Sequence, residues 1–262
     1  MSGTASTGAA GNRVSLGEFC AGVQVVARRE LGAYFESAIA YVYTIGFVVL
    51  ANSMFMQEFF LAGTADMTSY FQRMPLLLAV FLPAVTMRLW AEERKQRTIE
   101  LLLTLPIVPL QAVCGKFVAA LLLYGLFLIG SLPIVVMLAV LGSPDLGLIV
   151  SGYVGLIALG ALLLALGLFL SALSADQIVA FVSTACCALL LVLLGDQRVV
   201  SVLDGLAPKL AGGTLLAESI ALTPPYETFV AGSLELSSLV HFGAFTALFL
   251  WLCAHALEQR RT

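Results

Sequence analysis

The chain has 262 residues, of which 60% are hydrophobic and only 11% are charged. Because soluble globular domains carry roughly 25% charged residues, this composition excludes a soluble domain and indicates an integral membrane protein. The formal net charge of −3 carries little information for such a protein, and the sequence has no basic surface that would indicate a nucleic-acid partner.

The N-terminal residues predict a tail followed by a short helix. Residues 1–12 are mostly Ser, Gly, Ala and Thr, so we expect residues 1–14 to be a disordered tail and not a signal peptide. Between Ser15 and Arg29 the apolar residues recur at helical spacing, which predicts a helix in the inner membrane interface. The alternative is that this segment simply extends the first membrane-spanning helix.

Six windows without Asp, Glu, Lys or Arg predict an all-α fold with six membrane-spanning helices. A spanning helix needs about 20 largely apolar residues, and five windows have this length. The second window is shorter, but it becomes long enough if Arg88 snorkels and the helix continues through Trp90. The six windows comprise residues 37–57, 74–87, 117–144, 146–175, 177–195 and 236–257.

An even number of spans places both termini on the same side of the membrane. With the termini in the cytoplasm, ten of the Lys and Arg residues lie inside and three lie outside, as the positive-inside rule requires. The three outer residues are Arg73, Arg198 and Lys209.

The densest charge follows the second span, in residues 88–116, which carry five of the 13 Lys and Arg residues. This segment must lie in water or against a polar partner. No residue breaks a helix between Trp90 and Leu105, and Pro106 ends it, so we predict a helix that is polar in its first half and apolar in its second. Such a helix would begin in solvent and run back into the membrane surface or the protein.

Spans three and four carry signals for helix packing. Pro133 removes a backbone hydrogen bond from the outer half of span three, so we expect a kink there. Span four has four glycines that let neighbouring backbones approach closely, which favours tight helix packing over a pore lining. These glycines are Gly152, Gly155, Gly160 and Gly167.

Residues 196–238 form the one long outer segment between spans five and six. Residues 199–206 and 214–222 have amphipathic patterns that predict short helices lying on, or dipping into, the outer leaflet. Two roles fit this segment: part of a translocation exit, or a plain lid.

The sequence has no motif for catalysis or for a metal site. Gly115 and Lys116 lack the upstream Gly and the following Ser or Thr of a nucleotide P-loop, so we expect no ATP hydrolysis by this chain alone. His241 and His255 are too far apart on one span to share a metal. No charged residue lies in the middle of a predicted span, which disfavours an ion-coupled carrier and indicates that energy arrives from outside the membrane.

Three segments resemble the permease subunits of type-2 ABC transporters. The charged stretch contains Ala-Glu-Glu-Arg, Thr-Ile-Glu-Leu-Leu-Leu, Leu-Pro and Gly-Lys-Phe in the order typical after the second span of that family. Residues 29–42 and 225–232 resemble its gliding-motility and copper-site-maturation branch. Two departures are Arg97, where the family usually has Gly, and Ala38, where a Pro is frequent. The resemblance covers nearly the whole chain, so residues 15–262 are expected to form one permease domain.

The resemblance implies a half-transporter of the bacterial inner membrane with both termini in the cytoplasm. It would pair with a second permease subunit, identical or related, and with two cytoplasmic ATP-binding subunits. ATP and magnesium would be held by those subunits, and this chain would bind no cofactor and no metal. A periplasmic accessory protein would be a further partner.

In that family the cytoplasmic helix after the second span is the coupling helix, which touches the ATPase. Carried onto this sequence, the contact residues are Glu92, Glu93, Arg94, Thr98 and Glu100. The candidate residues of the outer segment are Glu218, Tyr226 and Glu227. The alternative interpretation of the charged stretch is a solvated loop without a partner.

Two functions remain open from the sequence. The first is export or extraction of an amphipathic, lipid-linked or polymeric substrate, which the spans without charged sites favour over a path for small ions. The second is a module that transports nothing and relays ATP-driven conformational change to a periplasmic partner through the outer segment. A continuous cavity between two permease copies would favour the first function, and a closed apolar interface the second.

Overall fold

The computed structural model describes residues 15–63, 66–96, 108–142, 144–206, 213–214 and 219–259. Within these ranges the regular structure is helical throughout, which confirms the all-α prediction for the described part of the chain. In chain order the helices are α1 (Leu16–Phe35), α2 (Ala38–Ala62), α3 (Thr68–Thr86), α4 (Arg88–Lys95), α5 (Pro109–Ile129), α6 (Leu132–Leu141), α7 (Leu146–Leu173), α8 (Gln177–Leu193), α9 (Gln197–Leu206), α10 (Thr223–Val230) and α11 (Leu236–Glu258).

Five helical segments of the described chain are long and apolar enough to cross a membrane. A sixth is counted only if α8 and the helix after it form one broken span, because the two are bent by 85° relative to each other. The bend lies at Asp196, whose Oδ1 accepts a hydrogen bond of 2.8 Å from Arg198 N and so starts a new helix. The five segments are Ala38–Leu61, Thr68–Lys95, Pro109–Leu141, Leu146–Leu173 and Leu236–Glu258.

The predicted N-terminal helix is confirmed as α1, and it continues six residues beyond the expected end at Arg29. It ends at Phe35, and α2 begins at Ala38, so the two are separate helices. α1 packs along the first turns of α5, where Gly115 leaves room for Val26. A Cβ at Gly115 would lie 2.6 Å from Val26 Cβ, so the missing side chain is what permits this contact.

The described residues at both ends of the charged stretch are helical. α4 begins at Arg88, two residues before the predicted start, and ends at Lys95. α5 begins at Pro109, well before the start of the predicted window at residue 117. The second half of the predicted helix, from residue 97 to Leu105, lies outside the described residues.

The helix of span three is interrupted at Gly130 and Ser131, between α5 and α6, close to the position where the sequence predicts a kink. Pro133 lies in the first turn of α6, where its missing N–H does no harm. The break frees the carbonyl of Gly130, which accepts a 3.1 Å hydrogen bond from Asn52 Nδ2 of α2. A side chain of α2 therefore bonds to span three at the position of this break.

The glycine-rich α7 lies at the centre of the bundle, in contact with α3, α5, α8, α10 and α11. A Cβ at Gly152 would lie 2.5 Å from the ring of Phe71, and a Cβ at Gly155 would lie 2.7 Å from Phe229 Cβ. Gly160 and Gly167 likewise admit the side chains of Tyr124 and Thr86. The predicted use of these glycines in tight packing is confirmed.

The outer segment contains one predicted helix and one that the sequence did not reveal. Residues 199–206 form most of α9, as expected. Most of residues 214–222 lies outside the described part, so the second predicted helix stays a prediction. The unexpected element is α10, whose Tyr226 and Phe229 are fully buried. It packs against α3, α7 and α11, and so belongs to the core and not to a loose surface loop.

Candidate functional site

Four charged side chains from three helices meet at one end of the bundle, and we call them the ion cluster. Its members are Arg29 and Glu30 of α1, Glu93 of α4 and Lys116 of α5. Lys116 Nζ lies 3.0 Å from Glu30 Oε1 and 2.8 Å from Glu93 Oε1. Arg29 Nη2 lies 2.9 Å and 2.8 Å from the same two oxygens. Two cations thus share two carboxylates, and the cluster is neutral as a whole.

Lys116 is the most deeply placed charge of the cluster, with only 1% of its side chain exposed. Its ammonium has three protons, and three acceptors surround it: the two carboxylates and the carbonyl of Leu89 at 2.7 Å. The ring of Trp90 adds a cation–π contact at 4.7 Å from Nζ. Since a buried ammonium is tolerated only when it is paired and hydrogen-bonded, these groups explain how Lys116 can lie inside the protein.

Arg29 closes the solvent side of the cluster, with 57% of its side chain exposed. Partial burial alone would lower its pKa, but hydrogen bonds and charges from Glu30 and Glu93 outweigh burial and raise the pKa of Arg29 above the ordinary arginine value. Arg29 therefore keeps its charge at every physiological pH, and we do not expect its ion pairs with Glu30 and Glu93 to break because Arg29 loses a proton.

The first turn of α4 is also bonded to the end of α7. Ser171 Oγ accepts hydrogen bonds from the backbone N–H groups of Trp90 at 3.2 Å and Ala91 at 3.3 Å. It donates to the carbonyl of Met87 at 3.1 Å. Those N–H groups start α4 and lack partners within the helix, so Ser171 takes the place of a local N-cap.

Arg94 completes the link between α4 and α7. Its Nη1 donates to the carbonyls of Ala172 at 3.3 Å and Leu173 at 2.7 Å, at the C-terminal end of α7. A cation is favourable there because the last carbonyls of a helix carry partial negative charge. α4 is thus attached to α1, α5 and α7 by polar contacts within one and a half turns of helix.

Arg88 attaches the other side of α4 to the end of α1. Its Nη2 donates to the carbonyl of Ala33 at 3.2 Å, and its guanidinium carbon lies 4.4 Å from the centre of the Tyr34 ring. The Tyr34 hydroxyl in turn donates to the carbonyl of Val85 at 2.8 Å.

The predicted ATPase-contact residues divide into two groups. Glu93 and Arg94 make the internal bonds described above, and Glu92 is half-buried and accepts a hydrogen bond from Gln96. Thr98 and Glu100, together with Arg97, lie outside the described residues. Sequence analysis missed Arg29, Glu30 and Lys116 as members of a site. A weak signal for them existed, since each is a charge embedded in an otherwise apolar helical pattern.

The outer candidate residues do not converge on one site. Tyr226 is buried, and its hydroxyl donates to the carbonyl of Phe71 at 2.9 Å, which fixes α10 to α3. Glu227, the next residue, is exposed. Glu218 lies outside the described residues. Within the described ranges, no group of three or more His, Cys, Asp or Glu side chains could hold a metal ion.

Comparison with known proteins gives one match. The model of the family described as ABC-2 family transporter protein matches residues 24–257, which is most of the chain. No curated protein matches the sequence. The match is to the broad family and does not single out the gliding-motility and copper-site-maturation branch.

Proposed function

The chain belongs to the ABC-2 transporter family and is a multi-pass permease subunit of an ABC transporter. We propose that separate cytoplasmic ATP-binding subunits drive this permease through α4 and residues 97–107. ATP and magnesium would be held by those subunits. The complex would lie in a bacterial inner membrane with both termini of this chain in the cytoplasm, as the distribution of Lys and Arg favours.

The ion cluster is the observation that carries the proposal. It joins α4 to α1 and α5, and Ser171 and Arg94 join α4 to α7. α4 carries three of the five residues that the resemblance assigns to the contact with the ATPase, and it leads directly into residues 97–107, which contain the other two. Because packed and hydrogen-bonded helices move as rigid bodies, a push on that segment would reach three neighbouring helices together.

The proposed contact residues have different surroundings, and we assign them different roles. Glu93 and Arg94 are bonded within the permease, so we assign them to transmission of movement. Glu92 lines a cleft beside α1. Thr98 and Glu100 are the residues that we propose to touch the ATP-binding subunit directly.

For the cargo we propose an amphipathic, lipid-linked or polymeric substrate that is exported or extracted. In the candidate spans the described charged side chains lie within the first or last eight residues, so the middle of these spans offers no charged binding site for a small ion. Only 17% of the residues in the most apolar stretch of α2, and likewise of α11, are buried. These helices therefore leave long apolar faces for lipid and for a second permease copy, identical or related.

A mechanical relay to a periplasmic accessory protein is the second candidate function, and the position of α10 favours it. α10 is bonded to α3 through Tyr226 and Phe71, and Ser151 Oγ of α7 donates to the carbonyl of Phe229 at 2.9 Å. A shift of α3 and α7 would therefore move the outer segment with them. A continuous cavity between two permease copies would favour transport over this relay.

The test is affinity purification of the chain from its own host in mild detergent, with mass spectrometry of every protein recovered. We expect an ATP-binding subunit with the native chain and a clear loss of that subunit with Glu100→Lys. Glu227→Lys is the matched control, since it makes the same charge change on an exposed residue of the outer segment and should leave recovery unchanged. A chain recovered only with itself would refute the ATP-driven function, and full recovery with Glu100→Lys would refute the contact assignment.

A further inference from the structure

A cavity of about 230 Å³ lies between the end of α1, the start of α2, the junction of α3 with α4, and α5. Its inner wall is apolar and aromatic, formed by Tyr34, Ala40, Val85, Leu123 and Phe127. Beside it α2 exposes apolar side chains such as Ile39 and Val42, which are 58% and 68% exposed. The cavity is thus placed where hydrocarbon from the bilayer can reach it.

A polar cleft of about 380 Å³ adjoins this cavity. Ser37, Arg88 and Glu92 line both spaces, so they stand at the boundary between an apolar chamber and a charged one. The cleft also contains Glu36, Gln96 and the ion cluster. An apolar chamber that opens into a charged one matches the shape of an amphiphile with its chain and headgroup.

The charges of the cleft that form no described ion pair indicate which headgroup fits. In the part of the chain that the structure describes, Arg88 forms no ion pair, and its hydrogen bond goes to the neutral carbonyl of Ala33. Glu36 and Glu92 also form no ion pair with a described cation. Arg88 and Glu92 lie four residues apart on α4, where such residues ordinarily face each other and can pair. Here a cation and two carboxylates face one cleft, each short of a counter-ion.

The balance of charge in the cleft favours a zwitterionic ligand over an anionic one. The ion cluster is neutral, which leaves one cation and two carboxylates, Arg88 against Glu36 and Glu92. A phosphate suits the Arg88 guanidinium, and a primary ammonium suits the two carboxylates. An anionic lipid without an amine would leave both carboxylates without a counter-ion.

We propose that this site binds one phospholipid with a zwitterionic, primary-amine headgroup from the cytoplasmic leaflet. Its phosphate contacts Arg88, its ammonium lies between Glu36 and Glu92, and the upper part of one acyl chain fills the aromatic cavity. The lipid joins α1 and α2 to α4, beside the ion cluster. This inference does not rest on the proposed function, because the lipid is retained whether or not ATP-binding subunits drive the complex.

The experiment is native mass spectrometry of the full chain, with any subunits that accompany it, taken from nanodiscs of equal phosphatidylethanolamine, phosphatidylcholine and phosphatidylglycerol. We expect one phosphatidylethanolamine per chain to stay bound. Arg88→Gln, and the double variant Glu36→Gln with Glu92→Gln, should each lower its retention about tenfold, as the loss of a charge-assisted hydrogen bond implies. Lys95→Gln is the matched control, an exposed cation of α4 outside both spaces, and should change nothing.

A cavity-filling variant guards against misfolding of the charge variants. Ala40→Phe keeps every polar group of the cleft and occupies the apolar chamber, so it should expel the lipid from a chain that still elutes as the native protein does. Preferential retention of phosphatidylglycerol, equal retention of all three lipids, or undiminished phosphatidylethanolamine in Ala40→Phe or in the double glutamine variant would each overturn the proposal.

Discussion

At the scale of single residues, Lys116 shows how a charge can lie within a membrane bundle. It is fully hydrogen-bonded by groups from α1 and α4, and the nearby Arg29 neutralises the second carboxylate. Breaking such a pair costs far more than the pair contributes, since the remaining charge stays buried without compensation. The ion cluster therefore fixes which surfaces of three helices can meet.

Replacing Lys116 with Met should destabilise the permease by about 3–5 kcal/mol, because Glu30 and Glu93 would then share only Arg29. The measurement is thermal unfolding in detergent, followed by reaction of a thiol dye with the buried Cys253 in a chain whose other four cysteines are replaced by alanine. Lys95→Met is the control, since Lys95 is an exposed lysine of α4 that belongs to no described ion pair. Equal unfolding temperatures for the two variants would show that the cluster contributes little to stability.

At the scale of secondary-structure elements, helices continue through positions where the sequence places charges. α3 and α4 together reach Lys95, and α5 begins at Pro109; Glu93 and Lys116, which lie in these segments, form an ion pair with each other. The windows drawn between charges predicted six spans, whereas the described helices give five, or six if α8 and α9 form one broken span; two of the windows are also shorter than the helices found. The glycine pattern of α7, in contrast, was sufficient to predict that neighbouring helices pack closely against it.

Gly160→Ala should destabilise the packing of α7 on α5, since a Cβ there collides with the ring of Tyr124. Overpacking of this kind costs roughly 1–3 kcal/mol. Gly125→Ala makes the same change on α5 at a position where no atom lies within 4 Å of the new Cβ, and should be neutral or slightly stabilising. The measurement is the unfolding temperature of each purified variant. If Gly125→Ala lowers it as much as Gly160→Ala does, the packing explanation is contradicted.

At the scale of the whole molecule, four of the five described ion pairs belong to the ion cluster at one end of the bundle, and the core is largely apolar and aromatic. α4 is bonded there to α1, α5 and α7, whereas α10 is bonded to α3 and α7 in the outer segment. α7 contacts both α4 and α10, and so connects the two ends. This arrangement is what the proposed ATP-driven movement would use.

Arg29→Gln tests whether the ion cluster transmits the proposed ATP-driven movement, and it does so without removing a buried charge, because Arg29 is largely exposed. In the purified complex we expect it to lower stimulation of ATP hydrolysis by the permease roughly fivefold or more, the range of a coupling energy between sites. Arg28→Gln is the matched control, an adjacent exposed arginine that belongs to no described ion pair. Equal ATPase rates in the two variants, with both complexes intact, would remove the ion cluster from the coupling route.

The sequence by itself determined the class of the protein, the helical segments, the helix break near Pro133 and the packing role of the glycines in α7. Each of these follows from local properties: apolar length, a missing N–H or a missing side chain. Only the tertiary structure decided that Glu30, Glu93 and Lys116 share one site and that α10 is buried. Those facts depend on contacts between residues far apart in the chain, where each charge becomes acceptable inside the protein only because its partners arrive from other helices.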